Sequence, residues 1–331
     1  MLSNIPIVLT AEQLVERGLR KTHKITVQDR NAYYRTKKTI LAKTESFVTY
    51  LTTTLDSYVT SFPSLEHLPQ FYQNIIEIKI TMDRVKNALG AVQWAKKTCT
   101  KIYAAQVRTL RSSRNLEFIQ QKQKEIYGRL SSVVHQIDGE LQVLIEAQHL
   151  FKDLPELQDI PTIVIAGYPN VGKSSLLRCL TAAKPQIARY PFTTKEIHVG
   201  HLEHTVKYDT RIYQVIDTPG LLDRPLSERN DIERQAIAAL THLADVILFL
   251  FDASETCGYT LTEQQHLLDR ITDMFPNATI VIINNKADLP SRATSDHLSV
   301  SCKTGEGIDA LIQNIFSIFT GPKGKPSENT S

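Results

Sequence analysis

Apolar residues in the first half of the chain recur at steps of three and four. Phe71, Ile75, Ile78, Met82, Val85, Leu89, Val92, Cys99 and Ile102 make one such stripe, with a single gap of seven. Leu116, Ile119, Ile126, Leu130, Val133, Ile137, Leu141, Leu144 and Phe151 make a second. This is the helical period, and polar residues on the other faces mark each stripe as a buried side. Ser112 to Asn115, SSRN, predicts a break or a cap between them. A shorter helix is expected over about 38 to 60, ending before Phe62-Pro63. The pattern predicts an antiparallel arrangement of long helices whose stripes form a core.

Past DLPELQDIPT, residues 153–162, a linker with two prolines, the pattern changes. Short β-branched runs alternate with helical stretches: TIVIA at 162–166, IYQVID at 212–217, VILFLF at 246–251 and TIVIIN at 279–284. Runs that are apolar on both faces imply a mostly parallel sheet with crossover helices on both sides. A last helix, Ile308 to Phe319, precedes the polar GPKGKPSENTS, expected to be disordered. The expected organisation is therefore an all-α domain over 1–158, an α/β domain over 159–320 and a tail over 321–331.

Composition adds limits. With 42% hydrophobic and 22% charged residues the chain is globular, and 331 residues suffice for two cores. Four dispersed cysteines with no CxxC pair suggest neither a zinc ribbon nor a disulfide framework, so a reducing interior is expected. No apolar run approaches the roughly 18 residues that span a bilayer, and no signal-type segment opens the chain, so no membrane role is expected. The net charge of +3 hides an asymmetry: residues 1–158 hold 22 Lys and Arg against 15 Asp and Glu, a net +7, and the rest nets −4.

Candidate chemistry follows the first strand. Gly167-Tyr168-Pro169-Asn170-Val171-Gly172-Lys173-Ser174 fits GxxxxGK[ST], with a strand before and a helix after. Phosphates need many donors in a small concave space; a glycine-rich loop presents backbone N–H groups at the positive end of a helix. These residues and Ser175 are the candidate phosphate site. Lys173 is expected to reach the β- and γ-phosphates and the Ser174 hydroxyl to ligate Mg²⁺.

Asn285-Lys286-Ala287-Asp288 selects the base. Guanine shows two adjacent donors that one Asp288 carboxylate can accept together, whereas adenine presents an acceptor there. Asn285 is expected on the purine's other edge and the Lys286 stem over the ring, at the carboxyl edge of the sheet. Asp217 to Gly220, DTPG, supplies an acidic group behind Mg²⁺ and a backbone N–H for the γ-phosphate. Ser301-Cys302-Lys303 follows the short strand His297 to Val300 as a further guanine loop. Thr194, or its neighbour Thr193, is the candidate that coordinates Mg²⁺ and senses the γ-phosphate; either could equally be a β-prone residue entering the strand Glu196 to Leu202. A Gln that orients the attacking water is expected just after DxxG, but Leu221 and Leu222 stand there, and a hydrocarbon cannot do this. His198, His201 and His204 invite a zinc reading, which strand alternation opposes by turning His201 away from the other two.

Taken together, GYPNVGKSS, YPFTTK, HVGH, DTPGLLDRP, IERQAIAAL, CGYT and NKAD, with the helical region before them, resemble the nucleolar GTP-binding protein 1 family within the Obg-like group. The resemblance runs from about Asn4 to Phe319 and implies a P-loop GTPase domain behind a helical domain inserted against ribosomal RNA. It implies GTP/GDP and Mg²⁺ as ligands, and the large ribosomal subunit precursor, its rRNA and other assembly factors as partners. The chain ends soon after the GTPase domain, like the short archaeal-type form, so a cytoplasmic, monomeric protein is expected. Obg-like relatives with Asn where Asn170 stands can hold K⁺ against the phosphates; the same Asn also suits a tight turn. Lys173, Thr194, Gly220 and Asn170 are thus the candidate catalytic groups. Independently, nine basic residues between Arg17 and Lys43, with Asp29 the only acid and Tyr33 and Tyr34 among them, suit RNA phosphates and bases. Two alternatives stay open: an Obg-like nucleotide sensor acting through protein partners without RNA, and an RNA-binding protein that keeps GTP as a fold ligand.

Overall fold

The computed structural model describes residues 5–181, 184–191, 196–206, 209–222, 231–290 and 297–320. Thr193, Thr194 and the expected tail lie outside them. Contacts divide the chain into two compact units, Met1–Leu68 with Ile76–Lys152, and Pro69–Ile75 with Asp153–Ser331.

The first unit is all helical. A helix not anticipated from the stripes, α1 (Ala11–His23), opens it, begun by a capping box in which Thr10 accepts from the Gln13 N–H. The helix α2 (Ala32–Ser61) starts at Ala32 rather than near 38, because Asn31 accepts from the Tyr33 and Tyr34 N–H groups and caps it there. The first stripe is broken into α3 (Gln70–Lys79) and α4 (Met82–Ser112), with Thr81 at φ 67° turning the chain. The second is broken at Ile137 into α5 (Leu116–Gln136) and α6 (Asp138–Asp153). Lys37 near the start of α2 donates to the carbonyls of Arg111 and Ser113 at the end of α4, while Asp56 pairs with Lys96, so these two helices are antiparallel. Gln123 donates to the Ile40 carbonyl and Tyr127 packs on Phe47, so α5 runs along α2 in the same direction. Of the stripe residues, Val85, Val92, Cys99, Ile126 and Leu130 have no exposed surface, while Ile78, Met82, Leu89 and Leu116 are half-buried.

In the second unit, β1 (Thr162–Ala166) and β5 (Val246–Asp252) are buried along their whole length, as expected for inner strands. With β2 (Gln186–Arg189), β3 (Glu196–Val206), β4 (Asp209–Asp217), β6 (Thr279–Asn285) and β7 (Leu298–Ser299), they make a sheet of order β2-β3-β4-β1-β5-β6-β7. The β1–β4, β1–β5, β5–β6 and β6–β7 pairs are parallel; β2–β3 and β3–β4 are antiparallel. The helices α7 (Lys173–Leu180), α8 (Asp231–Leu240), α9 (Leu261–Met274) and α10 (Ile308–Thr320) alternate with the strands. Strand order reverses beside β1, and α/β sheets bind ligands at the carboxyl ends of strands at such a reversal.

The segment Pro69–Ile75 packs with this unit: the buried Tyr72 hydroxyl donates to the Pro155 carbonyl at 2.8 Å and accepts from the Leu157 N–H at 2.7 Å. Burial pushes that phenol up to about 12. Of the three histidines, His198 lies opposite Asp217 in the β3–β4 ladder and His204 stacks on Phe316 at 3.6 Å, while His201 falls on the other face of β3. No helix among the described residues is long and apolar enough to cross a membrane.

Candidate functional site

The loop Gly167 to Gly172 leaves β1 and turns into α7. It is shaped by backbone in the left-handed region: Gly167 has φ 139°, Asn170 φ 63° and Gly172 φ 107°. A Cβ on Gly172 would collide with the Asn285 amide nitrogen, so both the dihedral and the approach demand glycine there. Val171 is fully buried and pins the loop's centre. Lys173 reaches back along the loop, its Nζ donating to the carbonyls of Gly167 at 2.8 Å and Tyr168 at 2.7 Å. A pocket of about 300 Å³ lies over the loop, lined by Pro169, Asn170, Gly172, Lys173, Ser174 and Ser175 and by Pro219 and Gly220 from behind β4. The two predicted phosphate-facing segments are thus brought together.

Asp217 ends β4 with no exposed surface. Its Oδ2 accepts from the Ser174 hydroxyl at 2.5 Å, and its buried Oδ1 has no hydrogen-bond partner among the described residues. An orphaned carboxylate oxygen beside a serine hydroxyl suits a hydrated divalent cation, whose waters would supply the missing donor. Gly220 turns the chain with φ 73°. Leu221 and Leu222, 1% and 3% exposed, are packed inward and serve the core.

The NKAD segment, Asn285 to Asp288, is stapled to the phosphate loop. Asn285 Nδ2 donates to the Val171 carbonyl at 2.8 Å, and its Oδ1 accepts from the Cys302 N–H at 3.3 Å. Sequence reasoning expected these groups at the purine; here each completes the other and joins three loops. Asp288 accepts from the Ser301 hydroxyl at 2.7 Å, which holds its carboxyl below the usual carboxylate range, with Lys303 nearby adding to the effect. It is therefore ionised at neutral pH, the form that accepts two guanine donors. Burial, with Cys179 adding, pushes the Cys302 thiol up to about 12, so this side chain is a small neutral filler.

One functional residue escaped the sequence reading. Asp252, at the end of β5, is fully buried and accepts from Lys286 Nζ at 2.6 Å, Thr256 Oγ1 at 3.0 Å and the Cys257 N–H at 2.7 Å. Burial alone would raise its pKa; the hydrogen bonds from Lys286, Ser254 and Thr256 outweigh it and leave the carboxyl below its ordinary value. Lys286, at φ 63°, is thereby fixed beside the base-reading Asp288. The same loop carries Tyr259, which stacks on Tyr168 of the phosphate loop with ring centres 4.0 Å apart. The quoted CGYT was the only sequence signal, and nothing in it points to Asp252.

The phosphate loop, DTPG, NKAD and SCK thus converge at the carboxyl edge of the sheet. Comparison with known proteins identifies the family. The profile described as the NOG1 N-terminal helical domain matches residues 2–158, and that of nucleolar GTP-binding protein 1 matches residues 231–288. The uncharacterised protein MJ1408 of Methanocaldococcus jannaschii is 40% identical over 289 residues, covering 86% of this chain and 80% of its own length. The nucleolar GTP-binding protein 1 of Encephalitozoon cuniculi is 32% identical over 323 residues, covering 92% of this chain but 60% of its own length. A Plasmodium falciparum crystal structure that carries the same family name aligns with 50% of this chain and 89% of its own at 35% identity, with a TM-score of 0.44. On its helical profile, its nucleotide-type loops and these relatives, the chain belongs to the nucleolar GTP-binding protein 1 family.

Proposed function

We propose that the chain binds GTP with Mg²⁺, hydrolyses it to GDP and phosphate, and uses the nucleotide state to act in assembly of the large ribosomal subunit. The observation that carries the nucleotide reading is the Asn285 staple, which makes the guanine-type and phosphate-type loops one site before any ligand arrives. The assembly reading rests on the family and on the net +7 charge of residues 1–158, which suits rRNA. A cytoplasmic, monomeric protein away from the particle completes the proposal, although the Encephalitozoon cuniculi relative carries nucleolar in its name.

In this scheme the backbone of Gly167 to Ser174 cradles the phosphates and Lys173 leaves its carbonyl partners to meet them. Mg²⁺ held by Ser174, with Asp217 behind it and Thr194 completing the set, would neutralise charge on the β- and γ-phosphates. Asp288 selects guanine. Because Leu221 and Leu222 are packed away, water orientation falls to Asn170 with K⁺, to Thr194, or to a group on the ribosomal particle, and turnover by the isolated protein is slow. Asn170 is exposed and lines the phosphate pocket, so it is placed to hold an ion; its φ of 63° equally shows why a turn-tolerant residue stands there.

The test is co-sedimentation with large-subunit precursors. Binding should require GTP or a non-hydrolysable analogue and fall steeply with salt. A protein that stays unbound at low salt with the analogue refutes the assembly role and leaves a nucleotide sensor. Single-turnover hydrolysis in K⁺ and Na⁺ reads the ion: equal rates, or normal hydrolysis by Asn170→Ala, would remove K⁺ from the scheme.

A further inference from the structure

The helical unit holds a second polar concavity, about 670 Å³ in volume, within the range of small-ligand sites. Its walls are the Thr26–Gln28 connector between α1 and α2, one face of α2 and one face of α5. The connector is tied down by the Val27 N–H, which donates to Thr39 Oγ1 at 3.2 Å. Three cationic residues, Arg35, Lys43 and Lys124, line this space, and no carboxylate does.

Only Arg35 and Lys43 of these come from the basic run between Arg17 and Lys43, and several other members of the run are engaged elsewhere. Lys37 is committed to the carbonyls that end α4, Lys38 to Asp29 at 2.7 Å, and Arg20 to Glu16, while Lys21 sits over the Tyr50 ring. The Tyr33 hydroxyl donates to the Arg114 carbonyl, and its ring meets that of Tyr34, 53% exposed, edge-on with centres 5.2 Å apart. Arg35, Lys43 and Lys124 form no ion pair among the described residues. Asp29, whose carboxyl is held below its ordinary value by Lys38 and more weakly by Arg35, offsets part of this charge, and an anion seated in the concavity would offset more.

The rest of the lining is not that of a bare anion site. Gln28 and Gln120 offer amides that can both donate to and accept from a base edge, and Val27 and Ile40 give an apolar floor. Lys24 and Arg30, both exposed, flank the connector in sequence, where neighbouring phosphates of a strand would find them but a free nucleotide would not. We propose that this pocket seats one unstacked nucleotide of single-stranded RNA, its phosphate on Arg35, Lys43 and Lys124 and its base against Gln28 and Gln120. The inference rests on the RNA-binding part of the function proposed above and names where that contact is made.

The test uses the full chain and a labelled single-stranded RNA of about a dozen nucleotides, read by fluorescence anisotropy across a salt series. Each phosphate neutralised contributes about 0.7 to the salt slope on single strands, so Arg35→Gln, Lys43→Gln and Lys124→Gln together, which empty one phosphate site, should lower it by about 0.7 and weaken binding about 5-fold at 0.1 M salt. GDP affinity, a check on folding, should not change, and the charge-keeping Arg35→Lys, Lys43→Arg, Lys124→Arg variant should still bind. If wild type binds RNA and the triple Gln variant binds it with the same affinity and slope, the pocket is refuted while the RNA reading stands. If wild type binds neither RNA nor ribosomal particles at low salt, the functional reading itself fails. Complete displacement of the RNA by GMP or AMP at about 1 mM would mark a free-nucleotide site and overturn the assignment to a strand.

Discussion

Replacing Asp252 with Asn tests whether the position of Lys286 depends on a buried charge. The Asp252 carboxylate accepts five hydrogen bonds: the Ser254 N–H and hydroxyl on Oδ1, and Thr256, the Cys257 N–H and Lys286 on Oδ2. An amide has one acceptor atom and two donors, so whichever way Asn faces, N–H groups meet N–H or O–H groups. Removing one partner of a buried pair costs about 3–5 kcal/mol. The Lys286 side chain keeps 22% of its surface exposed and is partly hydrated, which places the loss near 3 kcal/mol, roughly 100-fold in the folding constant. Urea unfolding of wild type, Asp252→Asn, Lys286→Met and the double variant gives the coupling directly, expected at about 2 kcal/mol or more. The carboxyl is held below its ordinary 3.8 by these bonds, so the stabilisation is fully present above that pH and is lost as pH falls through the folded value. The gap between wild type and Asp252→Asn should therefore close in acid. A coupling below about 0.5 kcal/mol, or a gap that does not shrink as pH falls below 3.8, would refute the pairing argument.

Three further outcomes follow from the same geometry. Gly172→Ala forces a Cβ against Asn285 at a φ that side chains avoid, costing about 1–3 kcal/mol, so GDP titration should show affinity at least about 10-fold weaker. Tyr72→Phe removes the hydroxyl that links the Pro155 carbonyl to the Leu157 N–H, which keeps only its 3.0 Å bond to Pro155, and urea unfolding should register a loss of about 1 kcal/mol. Because that phenol is raised to about 12, the stability it carries is intact below pH 10 and should fade between pH 10 and 12, a loss absent from the Phe variant. Lys37→Met removes the donor from two carbonyls at the end of α4 and should cost about 1–2 kcal/mol, while RNA affinity stays within about 3-fold.

How far the sequence could be read depended on whether a signal was local. The inner strands announced themselves as runs buried on both faces, and Gly167 to Ser174 and NKAD carried their chemistry in consecutive residues. The break at Thr81 did not, since a threonine at positive φ carries no glycine or proline mark. The α1 helix was hidden because its apolar face is short and it leads directly into the basic run, which reads as solvated surface. Asp252 was illegible for a different reason: its partner Lys286 lies 34 residues away, and DASETCGY on its own is only a loop. The basic run shows the same limit, for charge can be counted in a sequence, but only packing reveals that Lys37 is spent on a helix end while Arg35 faces a pocket.

The grouping of Pro69–Ile75 with the sheet means that the chain passes between its two units three times, at 68–69, 75–76 and 152–153. A protease nick within the 153–161 segment would therefore not yield two self-sufficient pieces. The N-terminal fragment would carry off Phe71 and Tyr72, and the remainder would lose the ring facing Tyr190 and the hydroxyl holding Leu157. Such fragments should behave as complementing halves that regain a stable nucleotide domain only when mixed, and a boundary drawn from motifs alone would leave the GTPase half missing a piece of its own packing.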